Sequence, residues 1–204
     1  MRKIAHTFIT LFIGVLVLQH SNDKDAYNNE ITEWQNEMNT EFKDPETSPL
    51  TTEDIAHFTN LDFYKIDMDY KVEADLELNE NQKEFGMKTT TERLPIYVKY
   101  GVAKFKVKGQ GFEINIYRNV ELSKREKYKD YLFMLFNDKT SGTTSYAGGR
   151  YIDLRIPKNG EKLYIDFNKS YNPYCAYNHK YSCPIPSDED YLDIEILAGV
   201  KAFH

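Results

Sequence analysis

A chain of 204 residues with 41% hydrophobic and 28% charged residues is long enough for one domain with a sizeable core, and too apolar to stay disordered. Its formal charge of −6, with 26 basic against 32 acidic residues mixed along the chain, excludes nucleic acid as a partner, because a phosphate backbone demands a basic patch. The 16 Tyr and 12 Phe lean the chain toward strands.

The amino terminus carries Arg2 and Lys3, then an apolar run from Thr7 to Leu18, then polar chain. That is the layout of a secretory signal peptide over residues 1–22, and it predicts an exported protein, periplasmic or associated with the cell envelope. The run is short against the roughly 20 residues of a membrane span, so a membrane is met only if this segment stays uncleaved as an anchor. No cysteine follows the run to take a lipid.

Residues 23–62 read as a helical segment. Tyr27, Ile31, Trp34, Met38 and Phe42 recur at spacings of three and four, which makes one apolar stripe on a helix over 24–43 and predicts core packing. DPETSP (44–49) breaks that helix, and Thr51-Thr-Glu-Asp54 resembles a capping box opening a short helix to about Asn60.

From Phe63 onward the period changes to two. Met68, Tyr70, Val72, Ala74, Leu76 and Leu78 alternate with polar residues, the pattern of a strand with one wet face. Further strand-like runs cover 84–91, 95–109, 111–119, 131–137, 150–157, 162–168 and 191–199, with Gly109-Gln-Gly111 and Lys158-Asn-Gly160 as hairpin turns. Strands at short intervals without helices between them predict a mainly β domain over 63–204. It is an antiparallel β-sandwich or barrel, with one or two N-terminal helices packed on it.

Two stretches concentrate polar chemistry. The loop Asp138–Arg150, DKTSGTTSYAGGR, is longer than a hairpin needs, and its glycines and Arg150 suit an anion; no Gly-Lys-Ser/Thr ending of a nucleotide loop is present. In the second, alternation puts Leu163, Ile165 and Phe167 on one face and leaves Asp166 and Asn168 together on the other. Such a pair can orient a substrate or a water, or cap the coil that follows. Cys175 and Cys183 lie close enough in an exported chain to read as a disulfide clip. With His179 midway they also read as zinc ligands, but no fourth ligand is visible, and no metal or cofactor is assigned.

LFMLFNDKTSGTTSYAGGRYIDL (132–154), DFNKSYNPYCAYNHKYSCPIP (166–186) and a later Ala-Gly segment resemble the bacterial proteins grouped as domain of unknown function 1684. The matching positions are Asp138, Thr140, Gly142, Tyr146, Gly149 and Arg150 in the first block. In the second they are Asp166, Asn168, Tyr171, Asn172, Pro173, Cys175, Tyr177, Cys183 and Pro184. Where the resembled pattern ends Ala-Gly-Glu-Lys, this chain has Ala198-Gly199-Val200-Lys201. The resemblance implies no activity.

The leading expectation is a binding protein for a small polar or anionic ligand, on a face where the two stretches converge. Arg150 supplies charge, Asp138, Asp166, Asn168 and Asn172 supply hydrogen bonds, and Tyr146, Tyr171 and Tyr177 the stacking walls. The alternatives are a hydrolase-like enzyme, with Asp166 or Asp138 as base and Arg150 and Asn168 on a developing negative charge, or a purely structural clasp without a ligand.

Overall fold

The structure is a computed structural model that describes residues 5–158 and 161–203, with side chains described from residue 23 onward. Helix α1 (Ala5–Lys43) runs without a break into the stretch read as a signal peptide. Residues 1–4 and the apolar side chains of that stretch lie outside the described residues, and among the described residues no helix is long and apolar enough to cross a membrane. Short helix α2 (Thr52–His57) starts where the capping box places it: the Thr51 side chain accepts from the Asp54 amide.

Among the described residues eight strands follow: β1 (Lys71–Leu78), β2 (Glu84–Gly86), β3 (Ile96–Val107), β4 (Gln110–Asn119), β5 (Tyr131–Asp138), β6 (Arg150–Arg155), β7 (Leu163–Asp166) and β8 (Tyr191–Leu192). They form one mainly antiparallel sheet in the order β6-β5-β4-β3-β1-β7, with β2 on β3 and β8 parallel to β5. The sheet curls into a nearly closed barrel, open along a seam where β6 faces β7.

Period-two alternation fills the interior. Val72 and Ala74, Ala103 and Phe105, Ile114 and Ile116, Leu132, Met134 and Phe136, Ile152 and Leu154, and Leu163 and Ile165 all point into one core. β5 is buried on both faces, because its outward Phe133 and Leu135 join Tyr97, Tyr117 and Tyr151 in a second cluster under the coil of residues 171–184. Each such side chain contributes about 1.5–3 kcal/mol on burial. The third cluster seats α1 and the chain end on one another through Phe42, Leu50, Leu61, Tyr177 and Val200.

The β3–β4 hairpin closes on two residues, Lys108 (φ 49°) and Gly109 (φ 82°), and the double positive φ matches the twist of the flanking strands. The other expected turn includes Asn159 and Gly160, outside the described residues.

Two expected strands are much shorter than their patterns. Of 84–91 only Glu84–Gly86 pairs with β3 along a strand; beyond it Thr89 bridges to Pro184 instead. Of 191–199 only Tyr191–Leu192 pairs, since the carbonyls of Ile196 and Ala198 are taken by the Arg150 guanidinium rather than by a neighbouring strand.

Candidate functional site

The two polar stretches do meet. Tyr151 and Tyr171 exchange backbone hydrogen bonds, and the Tyr146 hydroxyl approaches the Cys175 sulfur at 4.0 Å. The side chains of Asp138, Arg150 and Asp166, however, are turned inward. Arg150 is fully buried at the start of β6; it donates to the Ala198 carbonyl at 2.5 Å, the Ile196 carbonyl at 2.9 Å, Asp138 at 3.3 Å and the Thr140 and Ser170 hydroxyls at 3.4 Å. Burial pushes the guanidinium below its ordinary value, and Asp138 works in the opposite direction. Asp138 in turn accepts from the Thr140 and Ser141 hydroxyls and from the Ile196 amide at 2.7 Å. This ion pair therefore ties the 138–150 loop to the terminal segment 196–198. Gly199 lets that segment turn away at φ 80°, where a Cβ would lie 2.1 Å from the Ser170 hydroxyl.

Asp166 and Asn168 form a separate knot. Both carboxylate oxygens of Asp166 accept the Tyr27 hydroxyl of α1, at 2.8 and 3.0 Å, and one also takes the Asn168 amide. Asn168 completes it by donating to Tyr27 and to the Asp67 carbonyl while accepting from the Asp67 amide. Burial, then the adjacent Asp166, pushes the Tyr27 phenol up, so it stays a donor. Arg150 and Asn168 thus face different partners and do not frame one reacting atom. Asn172 donates to the Lys201 carbonyl and to the buried Tyr177 hydroxyl, again joining the coil to the chain end. Val200, where the resembled pattern has Glu, is buried among apolar side chains.

The expected disulfide is not formed: Cys175 and Cys183 are both free thiols. The Cys175 amide donates to the Cys183 sulfur at 3.2 Å, and the coil is held by other means, through Tyr171 on Tyr151 and Tyr177 against Phe42. The Cys183 thiol is the largest influence that brings Cys175 down to about 6, against burial and with help from Tyr146 and Thr90; Cys183, as donor in the pair, is pushed up. Burial together with the sulfur raises Tyr146 to about 12. His179, on which the zinc reading depended, is exposed, and no group of three His, Cys, Asp or Glu side chains gathers among the described residues.

A groove of about 470 Å³ lies on the outer face of the barrel, lined by the second stretch but by no residue of the 138–150 loop. Trp34 and Met38 of α1 form one wall, Tyr171, Tyr174 and Tyr181 of the coil the other, and Tyr131, Phe133, Tyr151 and Asp153 of β5 and β6 the floor. Asp153 receives the Tyr131 hydroxyl at 2.7 Å and the Tyr171 hydroxyl at 2.6 Å, both on one oxygen. Burial, with Asp153 second, pushes both phenols up, which keeps them protonated. The seam between β6 and β7 is also concave, but its charges are spent on each other: Lys162 on Glu73 and Asp75, Lys169 on Glu30, Arg155 on Asp130.

Of the residues expected at a site, only Tyr171 and Cys183 line the groove. Trp34 and Met38 pack on the third core cluster, as the helical stripe predicts, and also line the groove, a role that reading the sequence missed for them and for Asp153. For Asp153 the signal was present, since strand alternation puts it on the face of Tyr151.

Residues 56–201 match the family model described as protein of unknown function DUF1684. Among solved structures, the chain is similar to the solution NMR structure of an uncharacterized protein of Haloarcula marismortui. The two share 29% identity at a TM-score of 0.67, over 88% of this chain and 96% of that one. No curated protein matches. With a family model spanning the barrel and both motif blocks, the chain belongs to the DUF1684 family.

Proposed function

We propose that the protein binds a small molecule in the groove between α1, the β5–β6 face and the 171–184 coil. The observation that carries this reading is the groove itself, whose walls are aromatic and whose floor holds one exposed carboxylate, Asp153. Ligand sites combine large apolar contact area with a few placed polar groups, and this groove has both. The polar residues of the two motif blocks act as scaffold: Arg150 with Asp138, and Asp166 with Asn168, pin the chain end and α1 so that the walls keep their spacing. The basic and apolar amino-terminal pattern supports an exported protein that meets its ligand outside the cytoplasm.

Trp34 is the only tryptophan and stands in the groove wall, which supplies the assay. Titration with the neutral dye Nile red is expected to give one-to-one saturation, with Trp34 emission quenched in step with the dye signal. Binding that leaves Trp34 emission unchanged, or no saturable binding, refutes the assignment.

A further inference from the structure

The groove's charge is one-sided. Its lining includes the carboxylates Glu41 and Asp153 and no Lys, Arg or His, although the chain carries 26 Lys and Arg. Each carboxylate is held by tyrosine: Glu41 accepts the Tyr174 hydroxyl at 2.7 Å, and Asp153 those of Tyr131 and Tyr171. No cation pairs with Asp153 among the described residues, and its second oxygen takes no hydrogen bond there. Arg155, two residues along β6, is committed to Asp130 and the Lys127 carbonyl while lying over the Tyr131 ring. An anion entering here meets two negative charges and no compensating donor cation. A cation meets a carboxylate oxygen and, apart from Tyr131, whose ring Arg155 already covers, tyrosine rings with negative faces.

Resting on the groove as the binding site, we infer that its ligand is an organic monocation, a protonated or quaternary amine with an apolar body, seated with its charge on Asp153 beside Tyr171. The rings of Trp34, Tyr174 and Tyr181 take the apolar body. The hydroxyls of Tyr131, Tyr171 and Tyr174 are already spent on the carboxylates and that of Tyr151 on the Pro184 carbonyl, which leaves few donors for a ligand. This favours a quaternary or bulky amine over a ligand that must be recognised by many hydrogen bonds.

Three probes of similar shape decide the matter on the unmodified protein, read by Trp34 emission and calorimetry: benzyltrimethylammonium, its neutral carbon isostere neopentylbenzene, and benzenesulfonate. The expected result is that the ammonium binds about tenfold or more tighter than the isostere, that the sulfonate does not bind, and that Asp153→Asn erases the preference. Equal affinity for ammonium and isostere, a preference for the sulfonate, or a preference that survives in a folded D153N protein overturns the cationic ligand and leaves the groove standing as a binding site. Silence of Trp34 toward all three probes and toward Nile red removes the groove and the cation together. Should D153N fail to fold, the ratio of ammonium to isostere affinity on the unmodified protein still separates a cationic ligand from a neutral one.

Discussion

Replacing Arg150 by Met keeps much of the side-chain volume and removes the charge. Five groups then lose a donor: the carbonyls of Ile196 and Ala198, the Ser170 and Thr140 hydroxyls and the Asp138 carboxylate. The buried Ile196 carbonyl is left without a partner, at about 1–3 kcal/mol, while the Ala198 carbonyl keeps the Ser170 hydroxyl at 3.3 Å and loses less. Asp138 keeps the Thr140 and Ser141 hydroxyls and the Ile196 amide, so its own loss is partial. The sum agrees with the roughly 3–5 kcal/mol found when one member of a buried ion pair is removed. At about 2–4 °C per kcal/mol for a chain of this length, a loss near 4 kcal/mol lowers Tm by about 8–16 °C. Urea unfolding followed by circular dichroism measures the loss, and amide exchange at residues 196–200 is expected to speed up first, because this contact and the turn at Gly199 hold that segment to the barrel. Asp138→Asn in the R150M background is expected to cost less than the two single losses added, by about 2 kcal/mol, since each partner has then lost the other. A loss below about 1 kcal/mol for R150M, or strict additivity in the pair, refutes the view that the motif arginine is a structural tie.

Tyr27→Phe removes the hydroxyl that both oxygens of Asp166 accept, and it should cost about 1.5–3 kcal/mol in urea unfolding. Its Trp34 emission should shift red as α1 loosens, and an unchanged spectrum with unchanged stability would remove α1 from the scaffold. Gly199→Ala forces a Cβ against Ser170 at a positive φ, so a loss of at least about 1–3 kcal/mol is expected, and a neutral effect would mean the terminal segment runs elsewhere. Cys175, brought down to about 6, is the depressed thiol of its pair, so its reaction with iodoacetamide should follow a titration with midpoint near pH 6 and be flat above pH 7. The stability it contributes as thiolate is present above the ordinary thiol value and is lost as pH falls through 6. A midpoint above pH 8, or a denatured protein without titratable thiols, would contradict the paired free thiols.

The sequence carried the parts of this protein that depend on local periodicity. The stripe from Tyr27 to Phe42 placed α1, Thr51 and Asp54 placed α2, and alternation placed β1, β3, β4, β5 and β6 with small errors at their ends. Asp166 and Asn168 meet as a cap rather than by strand alternation: β7 ends at Asp166, and its carboxylate accepts the Asn168 amide of the 3-10 turn 167–169 that follows. The sequence was silent wherever a long-range partner overrides the pattern. The run 191–199 looks like a strand, but a buried guanidinium forty-six residues away claims its carbonyls, and most of its ladder never forms. Burial likewise turned Arg150 from a surface cation into an internal tie, because one carboxylate and two carbonyls converge on it only after the barrel has curled. The groove is the clearest case: Trp34, Asp153 and Tyr181 come from a helix, a strand and a coil that share no local signal, and only the packing of α1 over the β5–β6 face brings them to one place.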